Sequence, residues 1–231
     1  NTEALEYLSE YRYNEGDSQG AVELYSRLEG QSADWDLDDF DVQIEACRFY
    51  FHFASAHIKL GNFREAQVRL EKALELNSNH LPSLKAIGPV YMEQQEWAVA
   101  ERIYRQLLQL IGGSGQAEEL GETYGCLGLI EWHLEKSDKA RKRFTKALEI
   151  APNNVGALRG MGRVLYGDED WKGLLNVYNN VIKVAREPQA IIEAYLVKGH
   201  VLDAKMGLPD KAAQHYEKAR HYRHQLPAEE V

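Results

Sequence analysis

Residues 127–154 contain Leu127-Gly128, then Ala140, Phe144 and Ala147, and close on Pro152-Asn153-Asn154. Ala140, Phe144 and Ala147 are separated by four and three residues, which places them on one face of a helix. Gly128 stands twelve positions before Ala140 in a separate apolar segment. Glycine inside a helix costs about 1 kcal/mol relative to alanine, so a glycine kept there implies close approach of a second helix. Pro152 cannot continue a helix and ends the pair.

The same arrangement recurs along the chain as Ala21/Tyr25/Leu28, Ala66/Leu70/Ala73, Ala100/Tyr104/Leu107, Leu174/Tyr178/Val181 and Ala212/Tyr216/Ala219. Upstream of each stands another small residue: Ser9, Ala54, Gly88, Gly162 and Gly199. The interval is twelve residues everywhere but at Gly199, where it is thirteen. A large apolar residue precedes the small one at Leu8, Phe53, Ile87, Leu127 and Met161, and Lys198 breaks that rule. Turn signals separate the two helices of each pair: Glu15-Gly16-Asp17, Leu60-Gly61-Asn62, Gln94-Gln95-Glu96, Glu135-Lys136-Ser137, Gly167-Asp168-Glu169 and Gly207-Leu208-Pro209-Asp210. Glycine ends a helix, and asparagine or aspartate can start one.

With these residues in view, the chain resembles the tetratricopeptide repeat family, whose unit is a 34-residue helix–turn–helix. Leu127-Gly128 … Ala140 … Phe144 … Ala147 … Pro152-Asn153-Asn154 carries the likeness, as does Phe53-Ala54 … Gly61-Asn62-Phe63 … Ala66 … Ala73-Leu74-Glu75-Leu76-Asn77. Ala66 to Ala100 is 34 residues, and so is Ala140 to Leu174. The resemblance covers about residues 2–224 and implies an all-α, right-handed α-solenoid of about six units in a single array over 1–231. The approximate unit boundaries are 2–30, 41–80, 81–111, 116–154, 155–187 and 189–224. Two positions depart from the pattern: Pro89 falls inside a first helix and is expected to kink it, and Leu174 replaces the usual alanine.

Successive central residues are separated by 45, 34, 40, 34 and 38. The long steps precede units two, four and six, which predicts a lengthened first helix in every second unit. Tolerated loop insertion is the competing reading, alongside a second contact edge or descent from a duplicated two-unit block.

The 231 residues carry a formal charge of −9. Nonspecific nucleic-acid binding needs a basic footprint and is excluded on that ground. No stretch is apolar and long enough to span a bilayer. The two cysteines, Cys47 and Cys126, match no metal spacing and form no disulfide framework, which favours a reducing compartment such as the cytoplasm. The sequence starts at Asn1, which fits either removal of a leader or excision from a longer chain. No Ser/His/Asp or Cys/His set, glycine-rich phosphate loop or helical metal motif is present. The expectation is a non-catalytic protein with no cofactor, no catalytic residues and no metal site.

In the family the first helix of each unit lines a concave groove. Carried residue by residue onto this chain, that implies a partner-binding groove containing Arg48, Phe51, Lys59, Lys85, Met92, Leu129, Trp132, His133, Arg159, Arg163, Tyr166 and His200. Arginine forks recognise carboxylates and aromatic residues anchor peptides, so the expected ligand is an acidic-hydrophobic peptide or helix. A solvated charged face with its aromatics packed between units is the alternative. Some relatives hold a C-terminal carboxylate in a lysine–asparagine clamp; Lys85 occupies a clamp position, but Pro89 stands where the asparagine is needed.

Two further clusters draw attention. Asp34, Asp36, Asp38 and Glu45 have the acidic spacing of a calcium loop, but Asp39 and Asp41 stand where the loop needs glycine and an apolar anchor. An acidic helix start accounts for the same residues. His215, His221 and His224 sit on the last helix without a carboxylate or cysteine at metal-site spacing, as an ordinary polar face does. The sequence therefore supports an interaction scaffold or adaptor that binds a protein or peptide partner. The alternative is a structural assembly subunit, a homo-oligomer joined through the ends of its solenoid.

Overall fold

The computed structural model describes residues 2–30, 35–113 and 116–224. Twelve α-helices and no strand are found among the described residues. The first six are α1 (Thr2–Asn14), α2 (Ser18–Glu29), α3 (Phe40–Lys59), α4 (Phe63–Leu76), α5 (Leu81–Glu93) and α6 (Trp97–Ile111). The second six are α7 (Ala117–His133), α8 (Ser137–Ile150), α9 (Val155–Gly167), α10 (Trp171–Val184), α11 (Pro188–His200) and α12 (Pro209–His224). The chain forms two compact units, Asn1–Leu110 and Ile111–Val231. None of the described helices is long and apolar enough to cross a membrane.

In the last four pairs, the glycine of the first helix receives an aromatic ring from the second. A Cβ added at Gly88 would lie 2.9 Å from the Tyr104 ring, at Gly128 2.7 Å from Phe144, at Gly162 2.7 Å from Tyr178 and at Gly199 2.5 Å from Tyr216. Each ring fills the space a side chain would need, which is the packing reason that offsets glycine's poor helix propensity. Ser9 and Ala54, at the same depth in α1 and α3, are fully buried.

The turn inside each pair closes in one way. Gly16, Gly61, Gln95, Glu135, Glu169 and Gly207 all have φ between 59° and 87°, the left-handed residue that commonly follows a helix end. The amide after it reaches back across the turn: Asn62 to the His57 carbonyl at 2.9 Å, Glu96 to Tyr91 at 2.8 Å, Lys136 to Glu131 at 2.8 Å and Asp170 to Leu165 at 3.0 Å. Two of the second helices then start on an aspartate cap. Asp17 accepts from the Gly20 amide at 2.8 Å and Asp170 from the Gly173 amide at 2.9 Å. In the fifth turn Gly167 stays within α9 and Glu169 takes the left-handed position.

First helices alternate in length. α1, α5 and α9 have 13 residues each, whereas α3 has 20 and α7 has 17. α11 reaches comparable length by running straight into a π-helical turn, Val201–Lys205. A π turn accommodates one extra residue in a helix, and this one lies between Gly199 and Ala212, the pair whose interval is thirteen instead of twelve. α5 continues through Pro89 to Glu93, with the proline on its exposed side. Asp39 caps α3, accepting from Asp41 at 2.8 Å and Val42 at 3.4 Å, so the acidic run is a helix start over its described part; Asp34 lies outside the described residues.

The first unit is centred on Tyr25, Phe49 and Phe53, with Tyr25 stacked on Phe53 at 5.5 Å and edge-on to Phe49 at 5.6 Å. Glu29 at the end of α2 receives Arg69 at 2.8 Å and Lys72 at 2.9 Å from α4. Those two cations hold its carboxyl below the ordinary value against the opposing effect of burial. The second unit has one cluster around Phe144, Ala140 and Val164 and another around Leu174, Tyr178 and Val201. Cys47 is buried and donates to the Ala73 carbonyl, while Cys126 is half-buried.

Candidate functional site

In the second unit, first helices α7, α9 and α11 contribute one wall each to a pocket of about 510 Å³. Trp132 comes from α7, Arg163 and Tyr166 from α9, and Leu196, Val197 and His200 from α11. Leu174 and Tyr178 of α10 also line it, beside Gly162. Helical spacing explains the set: Gly162, Arg163 and Tyr166 span one turn of α9, as do Leu196, Val197 and His200 on α11. The absence of a side chain at Gly162 leaves Tyr178 accessible to the cavity.

The Arg163 guanidinium lies 5.4 Å from the Trp132 ring centroid. Arg163 has no carboxylate partner among the described residues, so its charge is held by an aromatic face and is open to a ligand anion. Lys205 stands 5.6 Å from the Tyr166 ring centroid, and Trp171 meets that ring edge-on at 5.3 Å. His133 packs edge-on against Trp132 at 5.0 Å; burial and then the nearby Arg163 charge push its pKa down. Burial, with the nearby Glu193 carboxylate, pushes the Tyr178 phenol up. The pocket thus combines an apolar floor, one guanidinium without an acidic partner among the described residues, and phenol and imidazole groups.

Of the residues expected from the sequence, Trp132, Arg163, Tyr166 and His200 share this pocket and His133 borders it. Arg159 is engaged by Glu193 across α9 and α11. Leu129 packs against the Phe144 cluster. The remaining expected residues lie in the first unit. Lys59 is held by Tyr13, 3.5 Å from its ring centroid and 3.4 Å from its carbonyl. Phe51 meets the His80 ring at 5.6 Å and Arg48 pairs with Glu45 at 3.4 Å on its own helix. Lys85 is exposed and Met92 half-buried on α5. Tyr178 belongs to the buried repeat face and still lines the pocket, whereas Lys205 lies beyond the regular helix and carries no repeat signal.

Residues 48–80 match a tetratricopeptide repeat model, and residues 80–153 match a second model of the same repeat. Residues 48–153 carry tetratricopeptide repeats. The chain is 24% identical over 171 residues to the protein CTR9 homolog of Arabidopsis thaliana, covering 68% of this chain and 15% of that relative's length. Among solved structures it is similar to MamA (20% identity, 74% of this chain and 95% of that one, TM-score 0.62). It is also similar to PilF of Pseudomonas aeruginosa (16% identity, 93% and 88%, TM-score 0.67). A third is YrrB, described as a TPR protein with an unusual peptide-binding site (22% identity, 75% and 84%, TM-score 0.55). These likenesses show the fold, an all-α solenoid.

Proposed function

We propose that the tetratricopeptide-repeat chain is a non-catalytic scaffold that binds a partner peptide or helix along first helices α7, α9 and α11. The partner inserts an apolar side chain between Trp132 and Leu196 and sets a carboxylate against Arg163. The observation that carries this reading is the Trp132–Arg163 arrangement, in which a guanidinium without an acidic partner among the described residues is fixed beside an apolar cavity of about 510 Å³. Tryptophan and arginine are the residue types that most often dominate binding energy at protein interfaces. In an acidic protein an acidic partner is otherwise repelled, so local positive charge at the pocket supplies the specificity.

A displayed library of random peptides selected on the intact chain tests this. Peptides with an aromatic or branched apolar residue next to Asp or Glu are expected, and their binding is lost in Trp132→Ala. Selected peptides without such a pattern, or binding unchanged in Trp132→Ala, would overturn the proposal.

A further inference from the structure

Lys198 breaks the repeat rule. Phe53, Ile87, Leu127 and Met161 occupy its position in other first helices, and Lys198 is only 8% exposed. A buried ammonium is costly unless it has a compensating charge. Its polar partner is the neutral Asn179, whose Oδ1 accepts from Nζ; burial and nearby Lys218 together push the Lys198 pKa down.

The environment of Lys198 opens to solvent. It lines a pocket of about 600 Å³ between second helices α10 and α12, distinct from the Trp132 cavity. Lys172 and Asn176 of α10 and Lys211 and His215 of α12 face the same space. No aspartate or glutamate lines it, and none pairs with Lys172, Lys198 or Lys211 among the described residues. His215 has a buried Nδ1 without a hydrogen-bond partner. In a chain of net charge −9, three lysines and an imidazole converge with no acid among them.

We propose that this pocket is a binding site for a phosphoryl group, with Lys198 as its buried anchor and Lys172 and Lys211 at its mouth. A single carboxylate would neutralise one of the three ammonium groups. A phosphoryl group carries close to two negative charges and three acceptor oxygens, and lysine binds phosphate as a point charge. Asn176 and His215 supply further hydrogen-bonding groups. Bound anion charge compensates the buried ammonium that a neutral amide leaves uncompensated. The phosphoryl group is either part of a small free polyanion or borne on a partner's side chain.

The test is calorimetric titration of the intact chain at low ionic strength with sodium pyrophosphate, and separately with a short blocked phosphoserine peptide and its unphosphorylated form. One saturable site is expected for at least one phosphorylated probe. Tighter binding of pyrophosphate identifies a free polyanion as the source, and tighter binding of the phosphopeptide identifies a modified partner. Lys198→Met restores the residue type of Met161 and should fold normally while weakening binding at least tenfold. The surface variant Lys172→Gln/Lys211→Gln, away from the buried anchor, should weaken it at least threefold. Absence of binding by both probes, or affinity unchanged in Lys198→Met, would overturn the site. Neither variant touches the Trp132 pocket, so the result is independent of the peptide-groove reading.

Discussion

Gly128 of α7 lies so close to Phe144 of α8 that a Cβ on the glycine would sit 2.7 Å from the ring. A glycine of the next pair approaches the ring as well: a Cβ at Gly160 of α9 would come within 2.2 Å of it. Phe144, 1% exposed, therefore contacts its own repeat and the following one through two missing side chains. In repeat proteins, stability is a sum of unit terms and nearest-neighbour interfaces, and this ring contributes to both.

Gly128→Ala pits two effects against each other. Helix propensity favours alanine by about 1 kcal/mol. Overpacking a dense core costs about 1–3 kcal/mol, and the ring of Phe144 cannot retreat because Gly160 contacts it too. The net expectation is destabilisation by roughly 1 kcal/mol, read from urea unfolding. Adding Phe144→Leu should recover part of that loss, a coupling that a double-mutant cycle measures. Gly128→Ala at or above wild-type stability would show that the close approach is not limiting.

The left-handed turn residues give an opposite prediction. Gln95, Glu135 and Glu169 hold φ near 60° where Gly16, Gly61 and Gly207 do so freely. A non-glycine residue there costs about 1–2 kcal/mol, partly offset by the larger unfolded-state entropy of glycine. Each of Gln95→Gly, Glu135→Gly and Glu169→Gly is thus expected to raise stability by about 0.5–1 kcal/mol. The three turns are separate in sequence, so their gains should add. A loss in any of them would mean that the side chain makes a contact worth more than its backbone strain.

Much of this was legible in the sequence because the repeat prints its own geometry. The interval from Gly128 to Ala140 marks two helices at matched depth, and the longer α3 and α7 follow from the uneven spacing of central residues. The thirteen-residue interval at Gly199 was visible too, but nothing in the residues says that the extra one is absorbed in a π turn. Nor did turn composition identify Glu169, because Gly167 two positions earlier offers the stronger signal. At the candidate pocket, counting along helices brought Trp132, Arg163, Tyr166 and His200 together. It could not tell Arg159 from Arg163, since pairing with Glu193 depends on the approach of α11 to α9.

Stability should fall as pH drops below about 6.5, the ordinary histidine value. His57 is 6% exposed, lies on the Phe53 ring at 4.9 Å, and has neither ring nitrogen hydrogen-bonded. Burial and then the Arg69 charge push its pKa down, against weaker opposing effects of Glu65 and Glu29. Below pH 6.5 the unfolded chain takes up a proton that the folded chain refuses, so stability is lost until pH falls through the lowered folded value. His52, His80, His133 and His215 are shifted in the same direction. Melting temperature followed from pH 7.5 to 5 should decline, and His57→Leu should flatten the decline. A slope identical in the variant and the wild type would remove His57 from this account.

The two arginines of α9 separate a peptide site from a charged helix face. Arg159 is already paired with Glu193, both about four-tenths exposed, and exposed pairs contribute little, about 0–1 kcal/mol. Arg163 is held on Trp132 and has no acidic partner among the described residues. For a peptide selected on the chain and bearing one acidic residue next to its apolar anchor, Arg163→Glu should weaken binding roughly tenfold or more, since it replaces attraction by repulsion beside the pocket. Arg159→Ala should change affinity by no more than about twofold, because a charge already satisfied within the protein has little left to offer a ligand. Fluorescence anisotropy of the labelled peptide measures both, and raising salt should narrow the gap between wild type and Arg163→Glu by screening. Equal losses at the two positions would point to a diffuse electrostatic attraction along α9, with no carboxylate seated at Arg163.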